Sequence, residues 1–171
     1  MDFLYFLEGL RTPWLDGIVG ALTHLGGELV FLVAALIVFW CVDKKRGYLL
    51  MSVGFLGIMI NQFMKLSFRI PRPWVLDPNF TILEQAREAA AGYSFPSGHT
   101  QTAVGTFGAL FATQKQKAIR AVCVALAVLT AFSRMYLGVH TPLDVGVAAV
   151  MAGLLIFGLK PIILGKNNRV F

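Results

Sequence analysis

Hydrophobic positions in this chain gather into long runs divided by short polar punctuation. The run LVFLVAALIVFWCV, residues 29–42, is the core of a first full span, expected to begin near Leu22 and to cross the Gly26-Gly27 pair. DKKRG, residues 43–47, reads as a tight turn, and a second span follows over 48–68. Beyond a loop of mixed polarity at 73–96, three further spans are expected at 97–113, 118–133 and 141–159. The last opens on Thr141-Pro142, an N-cap followed by proline at the first helical position. At ~20 apolar residues per crossing, the pattern predicts an all-α integral membrane helix bundle of about five full spans. Residues 3–25 are mixed, with Glu8, Arg11, Asp16 and His24 among the apolar positions. Pro13 starts a helix too short to span, an interfacial or half-inserted segment that brings the total to six helices. Within 73–96, Thr81 and Glu84 have the spacing of a capping box, which predicts a short amphipathic helix to about Ala91.

Small residues recur at three- to four-residue spacing, as Gly105, Gly108 and Ala112 and as Gly146, Ala149 and Gly153. Each set lies on one helix face, where neighbouring helices are expected to approach closely. Composition agrees with a membrane protein: 57% of the 171 residues are hydrophobic and the mean hydropathy is +0.70. So many spans leave no room for a separate soluble domain, and residues 1–171 are read as one membrane domain. Asp2 and Glu8 stand where a cleavable signal would be basic. Cys41 and Cys123 lie inside apolar runs and read as small hydrophobes.

The net charge of +6 does not point to nucleic acid, because the basic residues form no single patch. They sort by loop. Lys44, Lys45, Arg46, Lys115, Lys117, Arg120, Lys160, Lys166 and Arg169 fall on one side, with Asp43 alone against them. The positive-inside tendency makes that side, and the C-terminus, cytoplasmic. Residues 65–99 and 133–144 then meet on the outer side.

Three clusters on that outer side are costly near a membrane and therefore informative. They are KLSFRIPRP with Lys65, Arg69 and Arg72, PSGH with Ser97, Gly98 and His99, and SRMYLGVHTPLD with Ser133, Arg134, His140 and Asp144. Each has a plain structural account. Lys65, Arg69 and Arg72, at i, i+4 and i+7 on one helix face, are placed to snorkel to headgroups. Ser97 is a natural N-cap, and Asp144 completes a capping box with Thr141. Together these accounts leave cations and two histidines collected on the acidic side. A dense anion explains the collection. Lys65, Arg72 and Arg134 supply charge and directed donors. The amides at 97–99, opening a helix, form an anion site that Gly98 leaves approachable. Two histidines supply what phosphoryl transfer needs, one to attack or to activate a nucleophile and the other to protonate the departing oxygen. Asp144, four residues after His140, is placed to orient its imidazole.

Lys65-x6-Arg72-Pro73, Pro96-Ser97-Gly98-His99 and Ser133-Arg134-x5-His140-x3-Asp144 resemble the three signature motifs of the type 2 phosphatidic acid phosphatase (PAP2) superfamily. That family holds membrane lipid phosphatases and soluble vanadium haloperoxidases. The resemblance implies that His140 is the nucleophile, forming a phosphohistidine, with Asp144 holding it. His99 becomes the general acid, then the base that activates water. Lys65, Arg72, Arg134, Ser97 and Gly98 bind the phosphate, and Ser133 is secondary; Arg69 is not a fixed motif position, and its expected helix face suggests an auxiliary headgroup or diphosphate contact. No metal and no cofactor are implied. The expected substrate is a lipid phosphate or diphosphate (undecaprenyl diphosphate, phosphatidylglycerol phosphate or phosphatidic acid), met at the extracytoplasmic face of a bacterial plasma membrane. Membrane lipids are the surrounding partners, and neither nucleic acid nor an oligomer is indicated. The rival readings are a lipid phosphotransferase with the same site and a non-catalytic protein that binds anionic lipid. His24 matches no motif.

Overall fold

A computed structural model describes residues 1–87 and 90–165, apart from the side chain of residue 85. Among the described residues the chain is helical without strands. The helices are α1 (Asp2–Gly9), α2 (Pro13–Thr23), α3 (Glu28–Ile37), α4 (Lys44–Phe68), α5 (Pro73–Leu76), α6 (Glu84–Arg87), α7 (Gly98–Thr113), α8 (Lys117–Tyr136) and α9 (Pro142–Leu164). Lys166 and Arg169, counted above toward the basic side, lie outside the described residues.

Local chemistry sets most of the boundaries. Thr12 caps α2, with proline at the first position. Ser97 accepts from the Thr100 amide at the head of α7. Thr141 and Asp144 form the expected capping box on α9. Asp43 accepts from the Arg46 amide at 2.8 Å. DKKRG is therefore the start of α4 and not a separate turn, because the aspartate satisfies an amide that a free turn would leave to water.

Length and apolar composition qualify α4 with α5, α8 and α9 as membrane spans, and α2 with α3 as a fourth span bent by 53°. The expected uninterrupted crossing at Gly26-Gly27 does not occur. Gly27 is extended (φ −72°, ψ 149°) and ends the helix before α3 begins. Packing there is close: a Cβ on Gly26 would lie 2.6 Å from the His99 carbonyl oxygen. The α3 span ends in a π-helical stretch, Val38–Val42.

α7 has 16 residues and packs against α4, α8 and α9. Its environment is protein on most sides, so Thr100, Gln101, Thr102 and Thr106 are buried within the bundle. Lipid-compatible side chains point outward instead, among them Trp40, Phe63, Leu154 and Phe157. The small residues of α7 behave as expected for close packing, though they serve two helices. A Cβ on Gly105 would sit 3.3 Å from Val53 on α4, and one on Gly108 would sit 2.7 Å from Ile156 on α9. A Cβ on Gly146 or Gly153 of α9 would meet nothing within 4 Å among the described residues, so the close approach expected there is absent among them.

The sequence pattern also missed α1, which braces the loop after α5. The Glu8 carboxylate accepts from the Thr81 amide at 3.1 Å and from its hydroxyl. Arg11 donates to the Thr81 carbonyl at 2.9 Å, and Leu4 packs with Phe80 and Ile82. Thr81 is thereby spent on α1 and does not cap α6, which is described as a single turn from Glu84. Residues 88 and 89 of the expected helix lie outside the described residues, and Ala91 is not helical.

Candidate active site

The ends of α4, α7 and α8, with the turn before α9, border a cavity of about 380 Å³ lined by Lys65, Arg72, Gly98, His99, Arg134 and His140. Six residues from three separate stretches of sequence thus border one space.

His140 sits in the turn between α8 and α9 and is 2% exposed. Its Nε2 lies 3.0 Å from the Arg72 guanidinium. Because guanidinium only donates, that ring nitrogen is the acceptor and the proton belongs on Nδ1. Nδ1 lies 3.6 Å from the Asp144 carboxylate and 3.5 Å from the Ser94 hydroxyl. These are long contacts, at the limit of hydrogen-bond distance. Asp144 itself is firmly held: its Oδ2 accepts from Ser94 Oγ at 2.6 Å and from the Thr141 amide at 2.7 Å. The carboxylate that caps α9 also faces the imidazole, so the capping role leaves that contact open. Burial pushes the His140 imidazole below its ordinary value, the hydrogen bond to Asp144 opposes this, and the Arg72 and Arg134 charges add to the lowering.

Arg72 is positioned by backbone. It donates to the carbonyls of Gly92 at 3.1 Å, Ala91 at 3.1 Å and Val139 at 3.0 Å. Lys65 donates to the Tyr93 carbonyl at 2.7 Å. The short segment before the cis Phe95-Pro96 bond therefore cradles two cations and contributes Ser94. Arg134 is 1% exposed. It donates to Thr23 Oγ1 at 2.5 Å, while its Nε meets no protein acceptor.

Lys65, Arg69 and Arg72 do not share a helix face. α4 stops at Phe68 because Arg69 takes a left-handed conformation (φ 50°) and caps it. Pro71 and Pro73 then keep the chain extended. Arg69 points away, with Nε on the Leu66 carbonyl at 3.0 Å, and is not part of the cavity wall. Ser133 is likewise outside the wall, its hydroxyl donating to the Thr130 carbonyl at 2.6 Å. Ser97 is buried as the α7 cap, and its amide donates to the Asp144 carbonyl at 3.1 Å, pinning α7 to α9. Gly98 borders the cavity directly.

Several wall residues carried no signal in the motifs: Asn61, Gln62 and Glu28, together with Gln101 and Thr102 of α7. A second cavity of about 220 Å³ meets His99 and Arg134 from the α2 side, where His24 lies. Among the described residues, no group of three His, Cys, Asp or Glu side chains is placed to hold a metal ion.

The sequence model of the PAP2 superfamily matches residues 45–168. The chain belongs to the PAP2 superfamily. It is accordingly an enzyme of the PAP2 phosphatase type. Phosphatidylglycerophosphatase B of Bacillus subtilis is 28% identical over 165 residues, 88% of this chain and 75% of the relative. Undecaprenyl-diphosphatase BcrC of the same organism is 36% identical over 108 residues, 61% of this chain and 52% of the relative. The crystal structure of Aquifex aeolicus LpxE superposes with a TM-score of 0.77 at 26% identity, covering 91% of each chain.

Proposed function

We propose that this PAP2 enzyme is a single-domain membrane phosphatase that hydrolyses a lipid phosphate or diphosphate through a phosphohistidine on His140. The observation that carries the reading is the orientation of that imidazole. Its Nε2 lone pair faces the cation-lined cavity at Arg72, while Nδ1 faces the buried Ser94–Asp144 pair. This is the arrangement a nitrogen nucleophile requires.

In the first step His140 Nε2 attacks phosphorus and the P–O bond to the lipid breaks. His99 gives its proton to the departing alkoxide, or to the lipid phosphate when the substrate is a diphosphate. In the second step water gives a proton to His99 and attacks phosphorus, the P–N bond breaks, and inorganic phosphate leaves. Lys65, Arg72, Arg134 and the Gly98 amide stabilise the charge on the equatorial oxygens. Ser97 acts through the helix it caps. Charge stabilisation by side chains leaves no step in this scheme for a metal ion.

The position of the site at the loop ends supports a substrate whose tail stays in lipid while its head enters the cavity. Lys44, Lys45, Arg46, Lys115, Lys117 and Arg120 flank the opposite ends of α4, α7 and α8. The positive-inside tendency therefore supports an extracytoplasmic site and a cytoplasmic C-terminus.

The test is release of inorganic phosphate by purified protein in detergent. Undecaprenyl diphosphate, phosphatidylglycerol phosphate and phosphatidic acid are the substrates, each assayed with and without EDTA. At least one should be hydrolysed at an undiminished rate under chelation. Loss of turnover with EDTA, restored by a divalent cation, would remove the metal-free scheme.

A further inference from the structure

Gln101 is the most unusual polar group in the cavity wall. It lies on α7 one turn beyond Gly98, about 5 Å farther along the helix axis. It is 2% exposed. Neither its amide nitrogen nor its amide oxygen meets a protein partner, yet the side chain lines the cavity that holds His99 and His140. A buried amide without partners is expensive, and a polar group entering the cavity would relieve that cost. Space for it comes from α4. A Cβ on Gly57 would fall 2.8 Å from the Gln101 amide nitrogen, so only glycine there leaves the amide its place. Asn61, one turn along α4 from Gly57, lines the same wall.

We infer that Gln101 recognises a hydroxyl on the alcohol that leaves phosphorus, making it a specificity residue for polyol-bearing lipid phosphates. This rests on the phosphatase reading and deepens it. The amide offers both a donor and an acceptor, and both are free. A hydroxyl can accept from one end and donate to the other. An ionised second phosphate has only acceptors and would leave the amide oxygen buried and unpaired. A hydrocarbon leaving group would leave both ends unpaired. Exchanging the amide nitrogen and oxygen changes nothing, since both ends are free. The placement also fits. With phosphorus held at the Gly98 end of α7, a hydroxyl on the carbon next to the esterified one lies within reach of the following turn. Sites that bond a substrate hydroxyl reject analogues lacking it far more strongly than apolar pockets reject an extra group.

The experiment compares phosphatidylglycerol phosphate with an analogue in which the free hydroxyl of its headgroup is replaced by hydrogen. Wild type should favour the hydroxyl substrate by at least about tenfold in kcat/KM. Gln101→Met, of similar length, should bring that ratio close to one by losing rate on the hydroxyl substrate. Gly57→Ala displaces the amide without deleting it and should lower the ratio part-way. It also serves as the second variant should Gln101→Met fail to fold. Equal wild-type rates on the two substrates overturn the inference while leaving the phosphatase reading standing. So does a variant that slows both substrates by the same factor, because that behaviour belongs to a structural role. No phosphate release from any lipid by wild type overturns the phosphatase reading itself, and the inference with it.

Discussion

The two histidines of the site are built in opposite ways. His140 is almost wholly enclosed, and both ring nitrogens face polar groups: Arg72 on one side, Asp144 and Ser94 on the other. His99 is half-buried, faces two cavities, and has no hydrogen-bond partner for its ring among the described residues. A nucleophile must present one lone pair along one line, so constraint helps it. A group that donates a proton in one step and accepts one in the next must meet two partners in turn, so freedom helps it. The asymmetry suits the two-step transfer proposed above, and each side of it can be broken separately.

Removing the fixed ring should do the greatest harm. His140→Ala should lower kcat by roughly 10⁴-fold or more, because nothing else in the wall replaces the attacking nitrogen. Rapid quench with ³²P-labelled substrate should yield an acid-labile, base-stable phosphoprotein in wild type and none in the variant. Equal labelling of both proteins would move the nucleophile elsewhere. His99→Asn should cost less, about 10²- to 10⁴-fold on a lipid substrate. It should cost much less on p-nitrophenyl phosphate, whose departing phenolate needs no proton. With that ester the label should accumulate, since the second step still lacks its base. A uniform loss on both substrates would show that His99 is not the proton donor.

Ser94 sharpens the contrast from the supporting side. Its hydroxyl holds the carboxylate that faces His140 and lies 3.5 Å from the ring itself, so Ser94→Ala loosens Asp144 and removes one polar neighbour of the imidazole. A fall in kcat of about 10- to 100-fold is expected, with KM nearly constant, as for other residues that orient a reacting group. Ser94→Thr keeps the hydroxyl and should recover part of the rate. If both variants raise KM alone, Ser94 contacts substrate and does not position His140.

Ser94 also marks where sequence stops being informative. The caps of α7 and α9 were legible because the groups that make them are three residues apart. Lys65, Arg72, His99, Arg134 and His140 were legible as charges with no cheap home in a membrane. The bend at Gly27 was not, because it depends on how closely that turn packs on α7. The left-handed cap at Arg69 was not, because the residue rarely adopts that conformation. The supports of the cation cluster are mostly backbone carbonyls from 91–93 and 139. A carbonyl has no residue identity, so no motif could announce it. Gln101 and Gly57 read separately as a polar residue and a small one, and only the packing of α7 on α4 makes them a pair.

The smallest effect concerns stability, and it tests the enclosure of His140 directly. Burial holds its folded-state pKa below the unfolded value, with Arg72 and Arg134 adding to that lowering and Asp144 opposing it. The unfolded chain therefore binds a proton near the ordinary imidazole value of about 6.5, where the folded chain does not. Whatever this group contributes is fully present above that pH and is lost as pH falls toward the lower folded value. Between pH 6.5 and 5.5 few carboxylates titrate, so the imidazoles dominate. Melting in detergent should drop more steeply across that window for wild type than for His140→Gln, by roughly 3 °C per pH unit at most. His24 and His99 remain in both proteins, so the difference between the two slopes isolates His140. Parallel slopes would mean that the ring titrates alike in the folded and unfolded chain, and that its enclosure exerts no electrostatic cost. The Asp144 contact would then have to offset the burial fully, and His140 would begin to take up a proton just below neutral pH, where a nucleophile must not.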